Sequence, residues 1–441
     1  MMTDSRQVTL DLDKVLDDPG EFTVVPINGR HLVFFYLKPN WVALDGQELA
    51  ILKLVSSKTI AQLLALTSKA SLSSLLVKLY SRGILATPHQ QKRQAGPATL
   101  PMHVYLTNAC NLRCAHCYMN AGKRLRHELG LGEWKSLLDE FIAMGGRKLS
   151  ISGGEPLCVD FLPDLLRFAK LRQPKLRIKL LTNGTMLDKL PVCFYNQHVD
   201  ELQVSIDGPT AETHDAVRGR GSFQRTINNL RFLAAFSGRV TISMCVLDQH
   251  VDTFAENFRQ FRRAVIRLLP KARFGIATDL MDGRQYARLP YTKARENLAK
   301  VSHSVDSCFR GRGKMRNEEK SFERNARTIS CGFGGTITIT ADGVVYPCGV
   351  VFGPGLGMWG EKTMRQYAEE CRNIIQQFSV DATPACSECL LRYVCGGTCR
   401  IVNKKVRGDY QLPTCTEAAK DDLYLAMFED DIEFDGYIER R

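Results

Sequence analysis

Between residues 101 and 280 the chain alternates short apolar-rich runs with longer stretches in which apolar residues return every three or four positions. The short runs Met102–Thr107, Arg147–Ser152, Leu176–Thr182, Glu201–Ile206, Val240–Val246 and Arg273–Ala277 are predicted as strands. The helical period predicts helices over Glu133–Met144, Phe161–Leu171, Phe223–Phe236 and Thr253–Leu269. Strands that alternate with helices imply an α/β fold, a parallel sheet joined by crossovers. In such folds ligand chemistry gathers at the C-terminal ends of the strands.

The first 95 residues follow another pattern. Two β-like pieces, Phe22–Ile27 and His31–Tyr36, flank the turn Asn28–Gly29. Helical patterns follow at Gly46–Val55, Thr59–Leu66 and Leu72–Arg82, the last stopped by Gly83. Gln90–Pro101 reads as a linker. Beyond residue 280 the chain is rich in glycine and cysteine and predicted to be loop-rich, so metal clusters would supply stabilisation that a small apolar core does not. The expected division is 1–95, 96–280, a bridging region 281–330, and 331–441.

Composition sharpens this picture at two points. The formal charge of +12 fits an acidic partner (a peptide, a phosphorylated small molecule or a nucleic acid) or a solvated basic surface. No run approaches the ~18 apolar residues of a membrane span, and Met1–Asp18 is polar and acidic, with no signal region. A cytoplasmic protein is expected. In a reducing compartment its 15 cysteines read as metal ligands rather than a disulfide frame. Cys158, Cys193 and Cys245 lie on apolar stretches and read as buried thiols.

Just after the first predicted strand, Thr107–Tyr118 carries Cys110, Cys114 and Cys117 in the spacing C-x3-C-x2-C. Three thiolates on one loop can ligate three irons of a cubane and leave the fourth iron open to a chelating substrate. A zinc site with a fourth ligand elsewhere is the alternative, although the position of His116 does not give a usual zinc spacing.

This loop resembles the signature of the radical S-adenosylmethionine (SAM) superfamily, with His116 in the place of the aromatic residue and Tyr118 following. Further motifs end successive strands: Gly153-Gly154-Glu155-Pro156, Thr182-Asn183-Gly184, Ser205-Ile206-Asp207-Gly208, and then Arg218 within His214–Gly219. The resemblance implies a partial (β/α)6 barrel holding SAM and a 4Fe-4S cluster. It implies that Gly153, Gly154, Glu155 and Pro156 hold the SAM amino group. Asn183, Ser205 and Asp207 would contact its ribose and methionine end, and Arg218 its carboxylate; Tyr118 is counted with these cofactor contacts.

Seven later cysteines, Cys331, Cys348, Cys386, Cys389, Cys395, Cys399 and Cys415, resemble the SPASM extension of that family. The resemblance implies two auxiliary Fe–S clusters of 4Fe-4S type. Cys386, Cys389, Cys395 and Cys415 would hold the outer one, and Cys331, Cys348 and Cys399 the inner one. Gly332–Pro347 contains no cysteine, so the inner cluster would keep an open or non-cysteine position, or recruit Cys308 or Cys371. Paired zinc knuckles are the alternative.

Residues 22–87 resemble the winged-helix-like peptide-recognition domain fused to maturases of ribosomally made peptides. The implied function is hydrogen abstraction from a precursor peptide, guided by its leader sequence, to install a C–S or C–C crosslink. The electron donor would be a flavodoxin or ferredoxin. A leader would add a strand to the hairpin edge. A DNA-binding winged helix is disfavoured, because Leu72–Arg82 carries only Lys78 and Arg82 as cations. A structural appendage without a ligand stays open as a further alternative. Two rival functions remain for the whole chain: a radical SAM enzyme acting on a small molecule such as a tetrapyrrole or on a protein side chain, and a zinc-stabilised nucleic-acid-binding protein.

Overall fold

The computed structural model describes residues 13–85, 99–278, 324–351, 353 and 355–438, together with 282–285, 287–289, 293, 297, 300 and 301. Cys308 lies outside the described residues. The chain divides into two compact units.

One unit comprises Met1–Gly96, Phe322–Cys331 and Gln376–Arg441. It opens with three antiparallel strands, β1 (Thr23–Ile27), β2 (Arg30–Phe35) and β3 (Asn40–Leu44), in the order β1-β2-β3. Three helices follow: α1 (Gly46–Leu52), α2 (Ile60–Leu66) and α3 (Lys69–Ser81). Asp45 and Thr59 each close a capping box at the start of α1 and α2, which fixes where those helices begin. The third strand is an addition to the expected hairpin. Trp41, Val42, Ala43 and Leu44 are all buried because both faces of the sheet are covered. Val33, Phe35, Val42 and Leu44 pack on the helices. Leu32, Phe34, Trp41 and Ala43 pack on Leu391, Met427 and Phe428. The last two lie on the C-terminal helix Glu417–Ile438.

A buried ion network joins the same segments. Asp431 takes Arg82 Nε at 2.6 Å and Arg324 at 2.8 Å, and its other oxygen accepts the Ala43 N–H at 2.8 Å. Arg324 also stacks on Trp41, 4.2 Å from the ring centre.

The other unit comprises Pro97–Ser321 and Gly332–Ile375. Its six parallel strands lie side by side in chain order: β4 (Met102–Tyr105), β5 (Lys148–Ser152), β6 (Arg177–Thr182), β7 (Glu201–Ser205), β8 (Arg239–Cys245) and β9 (Arg273–Ala277). The expected strands are thus all present. Three short strands extend the sheet beyond β4: β10 (Ile337–Ile339), parallel to β4, then β11 (Val344–Tyr346) and β12 (Gly357–Met358), both antiparallel. They fall in a stretch expected to be loop, where strands of two or three residues leave no periodic signal.

Crossover helices among the described residues pack on one face of this sheet. Leu149, Ile151, Ile178, Leu180, Leu202, Val204, Ile242 and Met244 form a single core with Trp134, Phe141, Leu165, Leu230, Phe254 and Phe258. The opposite face is polar. Register places Tyr346, Thr338, His103, Ser150, Lys179, Glu201 and Arg239 in one row across seven strands. Lys179 pairs with Glu201 there at 3.1 Å. Parallel strands buried on both faces read as continuous apolar runs, whereas these alternate. One face was therefore built for something other than an apolar layer. Among the described residues, no helix is long and apolar enough to cross a membrane.

Candidate active site

The cysteine loop leaves β4 at its C-terminal end and has no regular structure, so side chains and neighbouring backbone must set its shape. Cys110 N–H donates to Gly122 O at 3.0 Å, and Ala115 N–H to Val217 O at 2.8 Å. Glu128 clamps the entry, accepting from Thr107 Oγ1 at 2.8 Å and Asn108 N at 2.9 Å.

The sulfurs are near enough, pair by pair along the sequence, for Cys114 to act electrostatically on Cys110, and Cys117 on Cys114. Burial pushes the Cys110 thiol up to about 12 and also raises Cys114, against the pull of Arg218. Left alone, these groups stay neutral. A cation among them would reverse that and hold them as thiolates. Leu112 N–H points at Cys110 Sγ and Ala121 N–H at Cys117 Sγ, each at 3.4 Å. Half-buried thiols that already receive N–H donors suit an iron–sulfur cluster.

Gly153 and Gly154 end β5 against this loop. A Cβ on Gly153, whose φ is +143°, would lie 2.6 Å from Thr107 O, and one on Gly154 would run into the Ala109 carbonyl. Gly154 N–H donates to Thr107 O at 2.7 Å, and Glu155 N–H to Ala109 O at 2.8 Å. The glycines thus admit the cysteine loop itself. Gly154→Ala is expected to displace Ala109 and Cys110; iron bound per chain after anaerobic reconstitution should fall well below wild type.

Glu155 is fully buried. Its carboxylate accepts from Thr182 Oγ1 at 2.8 Å, Leu157 N at 3.2 Å and Asn183 N at 2.7 Å, so it ties the end of β5 to the end of β6. Pro156 begins the short helical turn that follows. Asn183 in turn donates to Asn111 Oδ1 in the cysteine loop at 2.8 Å, and its Nδ2 lies 4.0 Å from Cys110 Sγ.

Asp207 gathers the other side of the site. It is buried and accepts from Arg218 Nε at 2.6 Å and Cys245 N at 2.9 Å, and it lies 2.6 Å from His116 Nε2. Burial opposes its charge, but Arg218 and His116 outweigh that and hold the carboxyl far below the usual range. Arg218 also comes within 4.0 Å of Cys114 Sγ. Ser205 ends β7, half-buried, in register with Ser243 on the polar face. The Tyr118 hydroxyl bonds to that of Tyr105, and Tyr105 donates to Gly349 O at 2.5 Å, beside Cys348.

The structure therefore brings Cys110, Cys114, Cys117, Gly153, Gly154, Glu155, Asn183, Asp207 and Arg218 to one set of strand ends. Sequence reasoning missed Glu128, Asn111 and the His116–Asp207 pair, whose partners are 91 residues apart.

Of the later cysteines, Cys386, Cys389, Cys395 and Cys415 share the first-described unit and lie together. The Cys395 side chain is exposed, and Cys415, Cys386 and Cys389 are all near enough to act electrostatically on its thiol. Cys399 caps the helix Arg400–Arg407 in the same unit, and Cys331 is exposed there. Cys348 belongs to the parallel-sheet unit and accepts from Val350 N at 3.5 Å. Cys371 is fully buried in the core of that unit, its thiol pushed up to about 12 by burial. Cys193 is exposed rather than buried, because it lies on the outer side of the short helix Val192–His198.

Two histidines beside the site are held neutral. Burial lowers His103 to about 4, helped by Lys179, and lowers His214 to about 4, helped by Arg218. As pH falls from 6.5 the unfolded chain takes up these protons first, so stability drops until about pH 4. A loss of about 3 kcal/mol per histidine is expected over that window. Urea midpoints of the metal-free protein at pH 7 and 4.5 would measure it; equal midpoints would contradict it.

Comparison with known proteins bears on this geometry. Residues 104–261 match the model of the radical SAM superfamily. An AdoMet-dependent heme synthase of Methanosarcina barkeri is 31% identical over 334 residues, covering 69% of this chain and 92% of that protein. The chain belongs to the radical SAM superfamily. The mycofactocin maturase MftC of Mycobacterium tuberculosis is 35% identical over 177 residues, 38% of this chain and 44% of MftC, so the match spans less than half of that relative. The crystal structure of Streptococcus suis SuiB bound to precursor peptide SuiA shares the fold, with a TM-score of 0.54 and 15% identity over 91% of this chain and 99% of that one.

Proposed function

We propose that this radical SAM enzyme modifies a ribosomally made precursor peptide by installing a C–S or C–C crosslink. The observation that carries the chemistry is the loop of three neighbouring thiols at the end of β4, with N–H groups already aimed at the sulfurs of Cys110 and Cys117. When bound there, SAM and a 4Fe-4S cluster supply a 5′-deoxyadenosyl radical able to take hydrogen from an unactivated carbon. Cys110, Cys114 and Cys117 hold the cluster. The ends of β5, β6 and β7, with Arg218, border the SAM position in a partial (β/α)6 barrel whose polar inner face receives the substrate.

Similarity to MftC favours a peptide substrate. In this reading residues 22–87 form a winged-helix-like recognition domain. The SPASM cysteines hold two auxiliary clusters, and a flavodoxin or ferredoxin supplies electrons. Cys371, deep in the core, fits no ligand role, so the inner cluster keeps a position open or filled by something other than that thiol.

Strand addition by a leader is constrained by the sheet's own edges. On β3, Trp41 N–H bonds to Asn40 Oδ1, Trp41 O to Arg324, and Ala43 N–H to Asp431. β1 is the less encumbered edge, although Pro26 brings no N–H to a ladder. Adding the peptide is expected to slow amide exchange within Thr23–Ile27; unchanged exchange there would remove the β1 edge as the docking strand.

Similarity across 92% of an AdoMet-dependent heme synthase favours a second reading, a tetrapyrrole substrate. One assay separates the two. Reduced enzyme and SAM are incubated with short peptides encoded beside the gene, and in parallel with porphyrin precursors. The peptide reading expects loss of two hydrogen masses from a peptide for each crosslink formed. Conversion of the porphyrin alone would replace it.

A further inference from the structure

The segment after β9 crosses the cysteine loop, where Arg284 and Gln285 hydrogen-bond to residues between Cys114 and Ala121. Arg284 N–H donates to Cys117 O at 3.2 Å, and Gln285 N–H to Ala115 O at 2.7 Å. The Arg284 guanidinium donates from Nη1 to Cys114 O at 3.1 Å, from Nε to Asn120 Oδ1 at 2.8 Å, and from Nη2 to Ala121 O. One planar group thus ties together acceptors at both ends of the turn that carries Cys114 and Cys117. That turn includes Asn120 in the left-handed region, at φ +49°, a conformation that needs such support. Gly283 permits the crossing, since a Cβ there would meet the His116 backbone.

We infer that Arg284 is a positioning residue for the SAM-binding cluster: its fork fixes the separation of the Cys114 and Cys117 sulfurs, and its charge tunes the cluster's potential. The inference rests on reading Cys110, Cys114 and Cys117 as cluster ligands. Within the loop Cys114 O accepts from Cys117 N at 3.3 Å and Cys117 O from Asn120 N at 3.2 Å, and the segment after β9 adds a second donor to each from outside. A guanidinium can gather three acceptors in one plane, whereas an ammonium cannot match that geometry. A positive charge beside a cluster favours its reduced form, so its removal makes the potential more negative.

These two contributions separate in two variants of the full chain. Arg284→Lys keeps the charge and loses the fork; Arg284→Gln loses the charge and the fork together. In the metal-free protein both should speed amide exchange of the peptide covering residues 112–122, by about tenfold for the loss of charge-assisted hydrogen bonds. Both should bind less iron on anaerobic reconstitution. Of the cluster that does form, the Gln variant should have the more negative midpoint potential and the Lys variant one near wild type. Gly283→Ala, which pushes the segment off the loop by its backbone, should reproduce the fast exchange with Arg284 intact. If wild type takes up iron while all three variants match it in exchange and potential, the inference is overturned. If wild type takes up no iron, the ligand reading beneath it fails instead.

Discussion

Replacing Cys110, Cys114 and Cys117 together by alanine should abolish formation of 5′-deoxyadenosine and remove about four irons per chain, the content of one cubane. The fold should survive. None of the three sulfurs joins the apolar core shared by the sheet and its helices, and the loop is held by backbone bonds such as Cys110 N–H to Gly122 O that alanine keeps. The remaining seven candidate ligands lie elsewhere in the chain. Visible absorption should therefore fall without vanishing if they hold clusters of their own. SAM cleavage measured by chromatography, with iron by colorimetric assay, checks both parts. A triple variant that still makes 5′-deoxyadenosine contradicts the assignment of the loop. A variant that loses every iron argues that the later cysteines bind none unaided.

The parallel sheet was legible because six apolar runs alternate with helical patterns, and motifs end the first four of those strands in the order that the sheet keeps. Glu155 and Asp207 were legible as important but not as what they do. Both were expected at the ligand; the structure adds that each also ties neighbouring strand ends and loops together through protein partners. Partners such as His116 and Asp207, far apart in sequence, leave no local trace. β3 was missed for the opposite reason. Trp41–Leu44 shows no alternation, since Leu391, Met427 and Phe428 cover the face that a half-exposed strand would leave polar. The polar face of the main sheet was present in the sequence as alternation within β5 to β8, a pattern that argues against strands buried on both sides.

Asp207→Ala should destabilise the parallel-sheet unit by about 3–5 kcal/mol, the range for removing one member of a buried ion pair. The reason is what remains. The Arg218 side chain is 9% exposed and would keep its charge with no carboxylate beside it. Cys245 N–H would lose its acceptor, and His116 its anchor. Asp207→Asn keeps an oxygen for Cys245 and should cost less, which separates lost charge from lost hydrogen bonding. Added salt should not mimic either change, because the pair is shielded from solvent. The pH dependence has a definite sign. The folded carboxyl ionises far below its unfolded value, so its contribution is complete above about pH 4 and declines below that; the alanine variant should lack this decline. Function should follow stability. His116 sits between Cys114 and Cys117, so freeing it loosens the cysteine loop, and iron uptake by the metal-free variant should fall even at temperatures where it stays folded. Urea unfolding at pH 7, followed by iron titration, tests the two claims in turn. An alanine variant as stable as wild type would show that Arg218 finds another partner and that the Asp207 network does not hold this site together.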